Sequence, residues 1–180
     1  MTGNNFPVIR DPQLSRAFVL QDVSVNRRKP RIQLLLVLFR FAQAMRYPFN
    51  EKPKWRSYGP TLIYQLISEW MLGIELPVKT RVGDILAISH GFGLVVNEAC
   101  VVGNGVTLRH GTTLGTRIPK GGCPTIHDGV DVGANVVILG SVTIGPFSTI
   151  GAGSVVLSDV PEMSVAVGNP ARVLGGSSSS

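Results

Sequence analysis

The residues whose types and spacing could do chemistry are three histidines and one well-placed carboxylate. His90 lies in AISHGFG. A neutral imidazole near pH 7 can take a proton from a hydroxyl nucleophile. Such a base needs an orienting partner on its other ring nitrogen, most often a carboxylate. Glu75 stands fifteen residues earlier. If three six-residue sides make one coil of eighteen, the pair falls on adjacent rungs near a common edge. The same spacing also suits a turn-capping His90 and a solvated Glu75 on the rim, and spacing alone does not separate the two. His110, in LRHGTTLG two places after Leu108, either faces a groove or is a surface turn residue. His127 directly follows Ile126 and reads as a surface side chain. Cys100 occupies a small-residue corner position and reads as core. Cys123 lies in a loop, where exposure to solvent is open to it. Lys120 is near it, but no basic neighbour clearly activates it as a nucleophile. There is no GxxxxGK[ST], no GxGxxG opening a helix and no metal-ligand spacing, so no metal is expected.

The elements that must carry these residues repeat every six positions. Val102, Leu108 and Leu114 share one phase, and after a break Ile126, Val132, Ile138, Ile144, Ile150 and Val156 resume it. Glycine often follows the aliphatic residue, as at Gly103, Gly115, Gly133, Gly145 and Gly151. Four places after it stands a small or β-branched residue: Val106, Thr112, Val130, Val136, Val142, Ser148 or Ser154. A fixed short period means stacked rungs that bury one face only against each other, a solenoid. The competing reading is a sandwich of short strands, whose turns recur at roughly 8–12 residues and not at a strict six. Leu76, Val82 and Ile88 already keep the period. Leu94 and Val95 then read as two extra residues beside His90. TRIPKGGCPT, near 116–125, reads as an excursion loop, a common carrier of binding residues on a rigid scaffold.

Ahead of the repeats, residues 1–72 read as a short helical region. Pro30 opens a helix over Arg31–Tyr47 with Ile32, Leu35, Leu36, Phe39, Ala42 and Met45 on one face and Arg40, Gln43 and Arg46 elsewhere. Residues 50–60 read as a loop. A second helix over Thr61–Leu72 offers Leu62, Leu66, Ile67 and Trp70 for packing, and Gly73 ends it. The solenoid occupies 73–174, and 175–180 is a low-complexity tail. Hydrophobic content of 44% against 16% charged marks a globular chain. A net charge of +6 favours an anionic partner. Two distant cysteines suit a reducing compartment. The start lacks a secretory pattern, and no run approaches the length of a membrane span.

The stretch from GIELPVKTRVGDILAISHGFGLVV to TLRHGTTLG, followed by CPTIHDGVDVGANVVILG and the closing VGNPARVL, resembles the hexapeptide-repeat acyltransferases. It looks closest to the serine acetyltransferases and the colanic-acid-type exopolysaccharide acetyltransferases. The resemblance implies a mainly β fold, a left-handed parallel β-helix, which departs from the usual right-handed crossover. It implies homotrimers with acetyl-CoA as acyl donor in the groove between neighbouring coils, and no metal. The histidine matching His90 is the family's general base for direct transfer, and the acidic residue matching Glu75 orients it. An aspartate usually stands there in the serine enzymes. Backbone amides around Gly115, Ala134 and Ala152 would meet the pantetheine arm, with Arg172 near the nucleotide phosphates. His110, Lys120 and Cys123 would border the acceptor. Cys123 replaces a histidine that helps the serine enzymes hold their amino acid.

The reading that follows is an O-acetyltransferase acting on a sugar hydroxyl in exopolysaccharide or capsule assembly, in the cytoplasm and at the inner face of the membrane if the acceptor is lipid-linked. The basic front helix would then touch anionic lipid, or else pack on the protein. The alternatives are a serine O-acetyltransferase of cysteine synthesis and a catalytically silent β-helix scaffold. Nucleic acid is not expected as a partner, since no stacking-aromatic motif accompanies the positive charge.

Overall fold

The computed structural model of the chain describes residues 7–48, 55–118 and 121–174. Lys120 and the tail at 175–180 lie outside the described residues. The repeats form a parallel β-solenoid of about five turns. The first turn carries β1 (Ile74–Glu75), β2 (Arg81–Val82) and β3 (Ala87–Ser89), and the second β4 (Leu94–Val96), β5 (Val101–Val102) and β6 (Thr107–Arg109). The third carries β7 (Thr113–Gly115), β8 (Thr125–Ile126) and β9 (Asp131–Val132), and the fourth β10 (Val137–Leu139), β11 (Thr143–Ile144) and β12 (Thr149–Ile150). The fifth opens with β13 (Val155–Val156) and ends in an antiparallel hairpin of β14 (Val165–Gly168) and β15 (Ala171–Leu174). Every third strand stacks on the last, giving three faces: A from β1, β4, β7, β10 and β13; B from β2, β5, β8 and β11; C from β3, β6, β9, β12, β14 and β15.

The expected core is the observed one. Val102, Leu108, Leu114, Ile126, Val132, Ile138, Ile144, Ile150 and Val156 are each no more than 1% exposed. Each fully buried aliphatic side chain contributes roughly 1.5–3 kcal/mol. The small residues fill the corners, and their hydroxyls are satisfied locally: Ser148 Oγ donates to the Gly145 carbonyl at 2.7 Å and Thr112 Oγ1 to that of Gly133 at 3.2 Å. Gly133 is needed because a Cβ there would stand 2.6 Å from the Ala152 nitrogen of the next coil.

The phase break sits differently from the sequence expectation. Leu94 and Val95 are ordinary strand residues, registered on Ile74 and Glu75. The two extra residues lie in the preceding corner, His90–Gly93, because Leu94 must take the inward place above Ile74. The excursion loop enters between β7 and β8, so Leu114 pairs with Ile138, twenty-four residues on, instead of eighteen.

The front region is α1 (Arg16–Leu20), α2 (Pro30–Arg46), α3 (Trp55–Gln65) and a π-helical continuation, Leu66–Met71. Three expectations are corrected here. The second helix starts at Trp55, running through Pro60 at the loss of one ladder hydrogen bond. Its packing face is Ser57, Tyr64 and Ser68, while Leu62, Leu66 and Trp70 are exposed, because Tyr64 sits against Phe39 at a centroid distance of 5.6 Å. Arg40 and Gln43 are buried. One apolar side of α2 is likewise packed onto the solenoid, with Ile32, Leu35, Leu36 and Phe39 all buried, while Leu34 and Phe41 on its other side are exposed. No helix among the described residues is long and apolar enough to cross a membrane.

The burial of polar residues has one cause. The first strands of the solenoid have no preceding rung, and their backbone groups need partners. Arg40 donates to the Val82 carbonyl at 2.9 Å and the Gly83 carbonyl at 2.6 Å. Asp22 Oδ1 accepts from Leu86 N at 2.7 Å, and Asn26 accepts from Ile88 N and donates to the Leu86 carbonyl. Gln43 donates to the Thr80 carbonyl, and Tyr64 Oη to the Leu76 carbonyl at 2.6 Å. Arg40 and Asp22 also pair with each other at 2.7 Å, fully buried. Arg40→Met should therefore strand the Asp22 carboxylate and two carbonyls, at a cost of about 3–5 kcal/mol. Arg109→Gln, which breaks a half-exposed pair with Asp131, should cost under about 1 kcal/mol. Urea unfolding of both variants checks the contrast.

Candidate active site

His90 sits at the corner where face C passes to face A, with its backbone at φ +66°. A non-glycine residue is uncommon there, and two glycines help to hold the turn. Gly91 has φ +63°, and a Cβ on it would lie 2.7 Å from Ile74 Cδ1 and 3.0 Å from Ile88 Cγ2. Gly93 donates to the Gly73 carbonyl at 2.8 Å, tying the corner to the end of the helical region. The imidazole is thereby presented outward, exposed, beside the exposed ring of Phe92.

The same corner recurs on each coil below. The Phe92 carbonyl accepts from Gly111 N, the His110 carbonyl from Asn135 N, and the Ala134 carbonyl from Gly153 N, all at 2.8–2.9 Å. Phe92, His110, Ala134 and Ala152 therefore form one column down the C-to-A corner, at a rung spacing of ~4.8 Å, and His90 stands at its head by continuing the Ser89–Arg109 register. His110 lies edge-on to His90, with ring centroids 6.0 Å apart, and its Nδ1 is buried with no protein partner. Lower down the column is open: Ala152 and Gly153 are exposed, and a methyl on Gly153 would meet nothing within 4 Å. Arg172, exposed, stands on the terminal hairpin opposite Val167.

Other sequence candidates lie elsewhere. Glu75 is exposed on the outside of face A, registered with Val95, and no hydrogen bond or ion pair joins it to His90 among the described residues. Gly115 ends β7 and lies at the far side of face A, where its carbonyl accepts from Gly140 N. Cys123 is near that A-to-B corner too. It is half-buried and packed on the core beside Cys100, because the returning chain must lay Pro124 over Val101 before β8 begins. Burial pushes the Cys100 thiol well above its ordinary value, and Cys123 beside it adds to the rise. Lys120 falls outside the described residues. One chain thus carries two groups of candidates, on two edges of face A.

Residues not singled out by the sequence complete the site. A cleft of about 390 Å3 opens beside His90, walled by the start of α2, by Met71 and Leu72, and by Ile74 and Phe92. Lys29 and Arg31 line it. Lys29 Nζ donates to the Ile88 carbonyl at 3.1 Å and to Ser89 Oγ at 3.0 Å, one residue before the histidine. The only sequence signal for this was Pro30, which fixes where α2 begins and so where its flanking cations stand.

The six-residue rungs stacked into a parallel solenoid define a hexapeptide-repeat fold, and the comparisons identify the transferase family that carries it. The family profile described as bacterial transferase hexapeptide (six repeats) matches residues 123–158. The Escherichia coli (strain K12) protein WcaB, provisionally named a colanic acid biosynthesis acetyltransferase, is 43% identical over 113 residues, which is 62% of this chain and 70% of that one. The serine acetyltransferase of Bacillus subtilis (strain 168) is 46% identical over 110 residues, or 60% of this chain and 51% of the relative. Among solved structures, the serine acetyltransferase of Brucella abortus strain S19 superposes with a TM-score of 0.74 at 30% identity, over 88% of this chain and 67% of that one. A serine acetyltransferase in complex with CoA gives a TM-score of 0.70 at 26% identity, over 87% of this chain and 68% of the other. The chain belongs to the hexapeptide-repeat acetyltransferases. It is similar to both WcaB and the serine acetyltransferases; the match spans 70% of WcaB and about half the length of the Bacillus subtilis serine enzyme.

The corner at His90 makes a separable prediction. Gly91→Ala and Gly105→Ala both force a residue with a Cβ to φ near +65°, a cost of about 1–2 kcal/mol. At Gly105 the nearest atom to the new methyl is 4.0 Å away, whereas at Gly91 it collides with Ile74, Ile88 and Ile32. Thermal unfolding should therefore show a larger loss for Gly91→Ala, and its turnover should fall further than that of Gly105→Ala.

Proposed function

We propose that the protein transfers the acetyl group of acetyl-CoA to a sugar hydroxyl in exopolysaccharide or capsule assembly, with His90 as general base. The observation that carries this reading is the position of His90: exposed, held in a left-handed turn, at the head of the open corner column and at the mouth of a cleft. The small, exposed residues of that column suit an extended thioester donor. Backbone amides at Ala134 and Ala152 would hold its arm, and Arg172 its phosphates. The donor supplies an activated acyl group whose leaving sulfur departs as a thiol.

The rest is done by the chain's own residues. His90 accepts the proton of the acceptor hydroxyl as that oxygen bonds to the acyl carbon. The carbon–sulfur bond breaks, and His90 returns the proton to the departing sulfur. Direct transfer is part of this reading, since no step needs the acyl group to be held on the enzyme. The separation of candidates onto two edges supports a homotrimer, in which the loop edge with Gly115 and Cys123 of one copy would meet the histidine edge of the next. Glu75, on the face between those edges, would orient His90 once the assembly closes. Acetyl-CoA as donor supports a cytoplasmic location.

Serine acetylation is the second reading, favoured by the similarity to serine acetyltransferases over the whole solenoid. Thiol release from acetyl-CoA, with serine in one set and sugars and oligosaccharide repeat units in another, separates the two. Turnover with serine alone would overturn the sugar reading. His90→Ala should lower turnover by about 10²–10⁴-fold with the trimer intact. Unchanged turnover in that variant would remove His90 from the mechanism, and a parent protein silent with every acceptor would favour a scaffold.

A further inference from the structure

The cleft beside His90 has a charge pattern that bears on the acceptor. Two cations line it, Lys29 and Arg31, and among the described residues its lining holds no carboxylate. Neither cation is neutralised by an ion pair among the described residues; the pairs there are Arg10–Asp84, Arg40–Asp22, Lys79–Glu98 and Arg109–Asp131. Lys29 is half-buried and spends two of its three ammonium protons on the Ile88 carbonyl and Ser89 Oγ, leaving one. Those two bonds fix the ammonium one residue from the catalytic histidine. Arg31 is exposed at the first turn of α2 with its guanidinium unpaired. The remaining walls, Ile74, Met71 and Phe92, are apolar.

We infer that this cleft selects an acceptor that is itself an anion, a sugar bearing a phosphate or carboxylate close to the hydroxyl that is acetylated, with Lys29 and Arg31 as the residues that recognise the charge. The inference rests on the reading of His90 as the base. An unpaired, partly buried cation is costly until an anion arrives, so an anionic ligand gains more there than a neutral one. A zwitterion such as serine gains little, because its ammonium would face two cations and no carboxylate. The apolar walls suit the C–H faces of a sugar ring, and the two cations would set which hydroxyl lies at His90. This gives α2 a second role: its first residues read the acceptor while its buried side seals the solenoid.

The test measures thiol release from acetyl-CoA with methyl glucoside, methyl glucuronide, glucose 1-phosphate and serine as acceptors. At least one anionic sugar should exceed methyl glucoside about tenfold in kcat/KM, the effect of one charge-assisted hydrogen bond. Lys29→Gln and Arg31→Gln should each reduce that preference, through KM for the anionic sugar and not through kcat. A response confined to the glucuronide assigns a carboxylate, and one confined to glucose 1-phosphate a phosphate. If methyl glucoside or serine is used as well as both anionic sugars, or if the variants slow charged and neutral acceptors alike, the inference is wrong. Arg31→Gln carries the test should loss of the Lys29 bonds unfold the corner. Calorimetric titration of the two anionic sugars into the parent and Arg31→Gln proteins keeps the acyltransfer reading separate. Binding weakened by the substitution upholds the anion site even if no acceptor turns over, and absence of binding by either sugar at millimolar concentration overturns it.

Discussion

A stack of rungs has a first rung, and its backbone must be answered by something other than another rung. Each interior strand of this solenoid satisfies its amides and carbonyls against the coils on either side. The strands β1 to β3 have a coil on one side only, and an open edge of three faces would invite pairing with any other chain. Side chains from residues 22–64 close it: Asp22, Asn26, Arg40, Gln43 and Tyr64 each bond to main-chain groups between Leu76 and Ile88. Because these groups are buried, each must be paired, and the Asp22–Arg40 ion pair is tolerable only because nearly all its remaining hydrogen-bonding capacity is used. The guanidinium also lies over the rings of Phe18 and Phe39 at 5.5 and 5.4 Å, which shields it further.

That seal also shapes the active site. To reach the edge carbonyls of β3, the chain brings Lys29 to Ile88 and Ser89 and starts α2 beside His90. The cleft wall and the edge seal are therefore parts of one structure, and the cleft beside His90 is built by the region that differs most from a plain repeat. The corner column has a different origin. It is simply the C-to-A corner repeated, where small residues leave the backbone accessible down the column. A regular scaffold offers a uniform track, and the irregular front end adds a cleft lined by Lys29 and Arg31 at one end of it.

The repeat period was fully legible in the chain, since one aliphatic residue in six can face inward and each such residue from Val102 to Val156 does. His90 and His110 could be placed near a corner from their offsets to Ile88 and Leu108. Their stacking at 6.0 Å needed the register, which the two extra residues at His90–Gly93 set. The front region was harder. Arg40 and Gln43 look like the solvent side of an amphipathic helix, and Leu62, Leu66 and Trp70 look like its core side, yet burial is reversed for both sets. A local pattern assumes that polar side chains meet water. Here they meet an unfilled strand edge, sixty residues away in places, and no local pattern reports that.

The sequence by itself thus determined a solenoid, its length, its interruption by a loop and the histidines that could act as a base. It could do so because a six-residue period is a property of neighbouring positions. Only the tertiary structure decided which polar residues are buried, that Lys29 and Arg31 face the same cleft as His90, and that Gly115 and Cys123 lie on a different edge from it. Those facts depend on which backbone groups lack a partner once the coils have stacked, and that is settled by long-range packing alone.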